Sequence, residues 1–220
     1  MFLRLLLHPK PKNQLNNMST RRPIVPQRVA MFGPQTINLL EAGNAVLVRL
    51  NDQDTRFLVQ DVILETAYAK GTTATDPQVR ATDGTNAITS TLTITDALDN
   101  VGGANYLALV ANPVPVVSGT DTLTLEKVVV GLGQATATRA RTNGVATIVT
   151  SVAHGFTTGD LITIALMTDT SFNAVDACVT VVNSTTFTYE NAGADVVSGA
   201  DTAGRVGALK VNAFVTGIYY

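Results

Sequence analysis

Short runs of alternating apolar and polar residues, parted by turn-forming clusters, recur from residue 45 to the end of the sequence. A period of two residues marks strands with one face buried. Residues 45–50 read as a strand ended by the polar turn Asn51-Asp52-Gln53-Asp54. Residues 57–65 alternate, with Leu58, Val62 and Leu64 on one side and Asp61 and Glu65 on the other. Residues 77–81 lead to Asp83-Gly84, a favoured hairpin pair. The clearest alternation is 88–95, where Ile88, Leu92 and Ile94 share one face and threonines fill the other. Residues 96–100 read as a short helical turn, and 116–117 and 123–130 as strands flanking the turn Ser118-Gly119-Thr120-Asp121.

Gly131-Leu132-Gly133 breaks this series, and a second one follows. Thr142-Asn143-Gly144 is a turn, 145–152 a strand, and 154–160 a tight loop. Residues 161–166, 178–182 and 186–189 are strands, and Arg205-Val206-Gly207 closes the set. Strands at this spacing predict a small Ig-like sandwich or barrel. Residues 209–220 alternate as one strand more than the small module needs, and an unpaired terminal strand would leave an exposed edge. Its simplest partner is the first region, which makes the small module an insertion in a surface hairpin. The expected parts are an extended arm (1–33), a β-sandwich (34–133 with 208–220) and an inserted β module (134–207). Two consecutive domains are the alternative.

Residues 1–33 have no sustained period. They hold Pro9, Pro11, Pro23 and Pro26 together with Arg4, Lys10, Lys12, Arg21, Arg22 and Arg28. Prolines fix the backbone and bias their predecessors to extended geometry, so this zone reads as an arm that lies on a neighbouring subunit. The apolar start of the chain is short and is followed by Lys10-Pro11-Lys12, which predicts neither a secretion leader nor an anchor.

Composition sharpens the all-β reading. Thr, Val and Ala make up roughly 40 % of the 220 residues, and the first two suit pleated strands. Charged residues are 15 %, below the ~25 % of ordinary soluble domains. Fifteen Lys and Arg against 17 Asp and Glu remove the general electrostatic case for nucleic acid. No apolar run reaches the ~18 residues of a helical membrane span. A single cysteine, Cys178, permits neither an intrachain disulfide nor a cysteine zinc site, and its alternating-valine setting predicts a small core residue.

The residues that could carry chemistry each read as structural. His154 sits in an Ala-His-Gly-Phe turn with no convergent partner nearby in sequence. Asn51-Asp52-Gln53-Asp54 has oxygen ligands but is too short for a calcium loop and lacks the later bidentate Glu. Asp195 and Asp201 read as solvated turn residues. Gly131-Leu132-Gly133 lacks the third glycine and following helix of a dinucleotide fingerprint. There is no Gly-x-Ser-x-Gly elbow. The expectation is no catalytic residue, no cofactor residue, no metal ligand and no enzyme. The basic residues of the arm are expected to meet an acidic protein surface.

Three blocks carry a resemblance: 140–148 (Ala-Arg-Thr-Asn-Gly-Val-Ala-Thr-Ile), 153–160 (Ala-His-Gly-Phe-Thr-Thr-Gly-Asp) and 181–189 (Val-Val-Asn-Ser-Thr-Thr-Phe-Thr-Tyr). In this order they resemble a small β module of tailed-bacteriophage virion proteins. Residues 57–62 through 122–125, with 211–220 as a closing strand, resemble phage jelly-roll capsid-decoration and fibre-base domains. The resemblance implies a jelly-roll-like sandwich in a structural virion protein. The specific expectation is a cement protein on the outer capsid surface that binds the major capsid protein as a homo-oligomer, with a trimer favoured. A tail, neck or fibre-base component, or a carbohydrate-binding receptor module, are the alternatives. The absence of Trp weakens the sugar reading.

Overall fold

The computed structural model describes residues 28–50, 56–71, 74–94, 104–110, 116–117 and 122–219. The first region supplies β1 (Arg28–Asn38), β2 (Ala45–Arg49), β3 (Arg56–Lys70), β4 (Gln78–Thr82), β5 (Leu92–Thr93), β6 (Ala104–Leu107), β7 (Val116–Val117) and β8 (Thr122–Val129). The second supplies β9 (Gln134–Thr142), β10 (Val145–Thr150), β11 (Leu161–Ala165), β12 (Ala174–Asn183), β13 (Thr186–Glu190) and β14 (Val196–Ala200). A last strand, β15 (Arg205–Tyr219), runs through both. No α-helix occurs among the described residues; Thr170–Phe172 forms a single 3-10 turn.

The first region is a sandwich of two antiparallel layers, β1-β15-β3-β6 and β2-β8-β4-β5. Its pairings are nested: β1 with β15, β2 with β8, β3 with β6, and β4 with β5. A long hairpin wound into two layers in this way is a jelly roll. The winding follows from where apolar faces must go. Phe57, Val59, Val62 and Leu64 of β3 and Val211, Ala213 and Val215 of β15 face Leu123 and Leu125 of β8 and Val79 and Ala81 of β4 in one buried cluster. Each fully buried Leu, Val or Phe of this set is worth about 1.5–3 kcal/mol. Phe57 is wedged edge-on against Phe32, with ring centroids 5.4 Å apart, and beside Tyr219 at 5.2 Å.

The second region closes on itself. β9 pairs β10, β10 pairs β13, β13 pairs β12, β12 pairs β11, β11 pairs β15, and β15 pairs β9. This ring is a small barrel. Arg205 and Val206 cover only the first residues of one β9 edge, and β14 takes the rest of that edge. The barrel encloses Ile148, Ile162, Ile164, Phe172, Val179 and Phe187, and Val206 and Ala208 of β15 belong to the same cluster. The β9–β10 hairpin turns on Asn143 (φ 50) and Gly144 (φ 75), the left-handed pair that a two-residue hairpin requires.

β15 is thus one strand in two cores. Its first residues complete the barrel, and from Ala208 to Tyr219 it lies between β3 and β1.

Several expectations change. Residues 28–33, assigned by sequence to the arm, form the start of β1 because Phe32 anchors in the Phe57 cluster; the rest of the arm lies outside the described residues. In β3 a bulge at Gln60 shifts the register between Val59 and Asp61. The extra residue reverses the alternation, so Phe57 and Val59 point inward and Leu58 shares the outer face with Asp61. The run 88–95 keeps only Leu92–Thr93 in a ladder. Its backbone bonds are divided: Ser90 N–H donates to Ala108 O, and Ile94 N–H to Pro77 O in the opposite layer. The segment turns the corner between sheets, and Ile88 and Thr89 are both buried. The Asn51–Asp54 turn and the helical turn at 96–100 lie outside the described residues.

Candidate functional site

The chain passes from jelly roll to barrel at residues 130–133, and the junction is tight. A Cβ on Gly133 would stand 2.3 Å from the Val206 carbonyl oxygen, so only glycine lets this crossing approach β15. Beside it opens a cleft of about 440 Å³, walled by Leu40, Val130 and Leu132 from one body and Ile164, Leu166 and Val175 from the other. Glu41 and Arg205 are the charged residues at its lining. One terminal nitrogen of the Arg205 guanidinium donates to the carbonyls of Thr202, Ala203 and Gly204 at 2.8–3.0 Å, while its Nε is buried without a hydrogen-bond partner.

A polar contact binds the two bodies across the same junction. Asp160 of the barrel accepts from the Thr157 N–H at 2.7 Å and its hydroxyl at 3.0 Å, and stands 3.6 Å from the Lys70 ammonium at the end of β3. Burial opposes its charge, but these hydrogen bonds, one from Tyr68 and the Lys70 charge outweigh it and hold the carboxyl below its ordinary range. Burial and the bond to Asp160 push the Tyr68 phenol up to about 12. The sequence reading passed over Asp160 and Tyr68. The Thr157-Thr158-Gly159-Asp160 spacing signals the local turn, but nothing in one dimension signals Tyr68 opposite it.

The residues singled out from sequence go elsewhere. His154 is buried, stacked on Phe156 with centroids 4.7 Å apart. Its Nδ1 accepts from the Phe156 N–H at 2.9 Å, so Nε2 carries the proton and donates to Asn183 O at 2.9 Å. Both nitrogens are committed, and the ring pins the 154–160 loop to the β12–β13 turn. Asp201 corrects the reading of a solvated turn residue. It is buried, accepts from the Thr168 N–H, the Thr168 hydroxyl and the Gly204 N–H, and lies 3.2 Å from Arg139 Nε. That nitrogen is off the hydrogen-bond axis, so the contact is a charge pair rather than a directed bond. A strand-end acid beside an inward arginine can be buried because the pair shares the desolvation. Asp195 is exposed just before β14 and accepts from the Asn143 N–H. Cys178 also departs from expectation. Its neighbour Val179 is the buried residue, so the alternation of β12 turns the thiol outward, opposite Leu161.

Arg141, unremarked in sequence, is almost wholly buried and lies over the Phe172 ring at 4.5 Å. Its guanidinium donates to Ala194 O at 2.8 Å, to the Ser171 hydroxyl at 2.9 Å and to Asn191 Oδ1. It seals one end of the barrel. Among the described residues no three His, Cys, Asp or Glu side chains gather to hold a metal ion. The lining of the cleft is mostly apolar, with Glu41, Thr163, Asn173 and Arg205 as its polar side chains. Fold and junction define a jelly-roll protein carrying a β-barrel between its last two jelly-roll strands. No family model, curated protein or solved structure matches the chain.

Proposed function

We propose that this chain is a non-enzymatic structural virion protein, a capsid decoration protein that binds the outside of the major capsid protein lattice as a homo-oligomer, with a trimer favoured. The observation that carries this reading is how the side chains are allotted. His154, Asp160, Arg141 and Asp201 are held in internal hydrogen bonds and Arg139 in a charge pair with Asp201. Apolar side chains are left outward on strands of both bodies: Val29 is 74 % exposed, Met31 69 %, Val182 61 % and Val197 89 %. A surface of this kind makes contacts. The fold is one used repeatedly for capsid and lectin surfaces, and the sequence blocks at 140–148, 153–160 and 181–189 resemble a phage virion module. Weak contacts repeated by symmetry suffice for tight binding, because each docked copy raises the effective concentration of the next. The test is to mix the purified protein with capsids lacking decoration and reconstruct the particles. Symmetric density on the outer shell is expected. Density confined to the tail or neck, or capsids left bare, overturns the proposal.

A further inference from the structure

The outward face of the β1–β15–β3 layer carries apolar side chains in register. Val29, Ile218 and Leu58 stand in one cross-strand row, since Val29 pairs with Ile218 and Ile218 with Leu58. Phe214 and Ile63 form another, and Met31 lies between, in the row of Thr216 and Asp61. Directly opposed residues share a face, so these six side chains form one patch. The bulge at Gln60 places Leu58 in it, and Val29 and Met31 stand most exposed. Acidic residues lie among and beside them: Asp61 in the Met31 row and Glu65 opposite Asn212.

The edge of this layer is closed to strand addition at one point. β1 is its outer strand, and Pro34 within β1 has no N–H to offer a new neighbour. The patch itself lies on the face of the layer. Residues 1–27 lie outside the described residues and immediately precede β1 in the sequence, since Arg28 opens that strand and Val29 follows. Their sequence complements the patch. They begin Met1-Phe2-Leu3-Arg4-Leu5-Leu6-Leu7, carry five Lys or Arg, and contain no carboxylate; all 17 Asp and Glu come later. The stretch from 8 to 27 has four prolines and no glycine, a composition that favours an extended path over tight reversal. At ~3.3 Å per residue it reaches roughly 65 Å, enough to cross to another copy.

We infer that the Met1–Leu7 segment of one copy docks on the Val29–Met31–Phe214 face of a second copy, its leucines over the apolar rows and Arg4 at Asp61 or Glu65. This deepens the homo-oligomer part of the proposed function and rests on it, but it concerns contact between copies, so it is tested without capsids. In a Cys178→Ser background, one chain carries Leu5→Cys and a second carries Val29→Cys; the two are mixed and treated with a short bis-maleimide. A covalent product joining the two chains is expected, and adding Met31→Asp to the acceptor lowers its yield about tenfold, the scale of one lost buried side chain. No product between chains, a yield indifferent to Met31→Asp, or cross-linking only within a chain carrying both cysteines overturns the inference. A chain that cross-links between copies yet leaves capsids bare keeps this inference and loses the cement reading.

Discussion

In the jelly roll, β1 pairs with β15 from Arg28 opposite Tyr219 to Asn38 opposite Lys210, so the sheet is closed by residues from the two ends of the described chain. In the barrel, β9 meets β10 across the Asn143-Gly144 turn, and three of the six pairings of the ring join strands adjacent in sequence. The cores differ in the same sense. That of the jelly roll is aliphatic and aromatic and gains its fit from two layers meeting. The barrel mixes its apolar centre with committed polar groups at its ends, Asp201 with Arg139 and Arg141 over Phe172. The jelly roll depends on the C-terminal strand along its length from Lys210 to Tyr219, whereas the barrel pairs only with residues 205–207 of it.

The largest expected effect breaks that contrast directly. Removing residues 209–220 takes out the strand between β1 and β3 and with it Leu209, Val211 and Val215. Those three buried side chains account for roughly 5–9 kcal/mol, of the order of a domain's whole net stability. Hydrogen exchange should show protection lost across β1–β8 while β9–β13 retain theirs. Loss confined to the barrel would mean that β15 belongs to the barrel alone.

Two single substitutions sharpen the comparison. Phe57→Ala empties the site between Phe32 and Tyr219 and should cost about 3–5 kcal/mol, read as a lower denaturant midpoint with exchange rising in the jelly roll. Asp201→Ala leaves Arg139 without its buried counter-charge and should cost about 3 kcal/mol, with exchange rising in the barrel. Equal loosening of both bodies by either change would show a single cooperative core.

A smaller effect tests the junction. The Tyr68 phenol ionises at about 12 instead of 10.0, so the folded state holds this proton more tightly than the unfolded chain. Its contribution is complete below pH 10 and is lost as pH rises toward 12. Thermal midpoints measured across that window should fall, and Tyr68→Phe should fall less steeply. A residual slope is expected, because burial also raises Tyr189 and Tyr219. Identical slopes for both proteins would remove Tyr68 from the junction's energetics. The smallest effect is Cys178→Ser, which should change stability by less than about 0.5 kcal/mol because the thiol is exposed.

The strands were legible where one face is buried and the other wet. Residues 145–150 and the first half of 122–129 read correctly from alternation because their pleat is regular there, whereas 45–49 was found as a strand although a bulge puts both Leu47 and Val48 in the core. Leu58 was misplaced because one inserted residue, Gln60, reverses every later position, and a bulge has no marker in the hydrophobic pattern. The run 88–95 misled for a related reason: its perfect period belongs to a segment that leaves one sheet for the other partway along. At the junction, Gly131-Leu132-Gly133 announced a break, but its meaning lies in the carbonyl of Val206 pressed against it, more than seventy residues further on. Asp201 looked like a turn acid because charge burial depends on a partner, and Arg139 is supplied by a different strand.

The jelly roll and the barrel are two bodies with separate cores that share β15. Gly133 lies against Val206 and Gly207, so the two ends of the barrel segment meet in space. Excising residues 134–207 and joining Gly133 to Ala208 by a short turn tests this most directly, read by hydrogen exchange of the shortened protein. Protection across β1, β3, β8 and residues 208–219 matching that of the full chain is the expected result. A shortened chain that exchanges throughout as an unfolded polypeptide would contradict it.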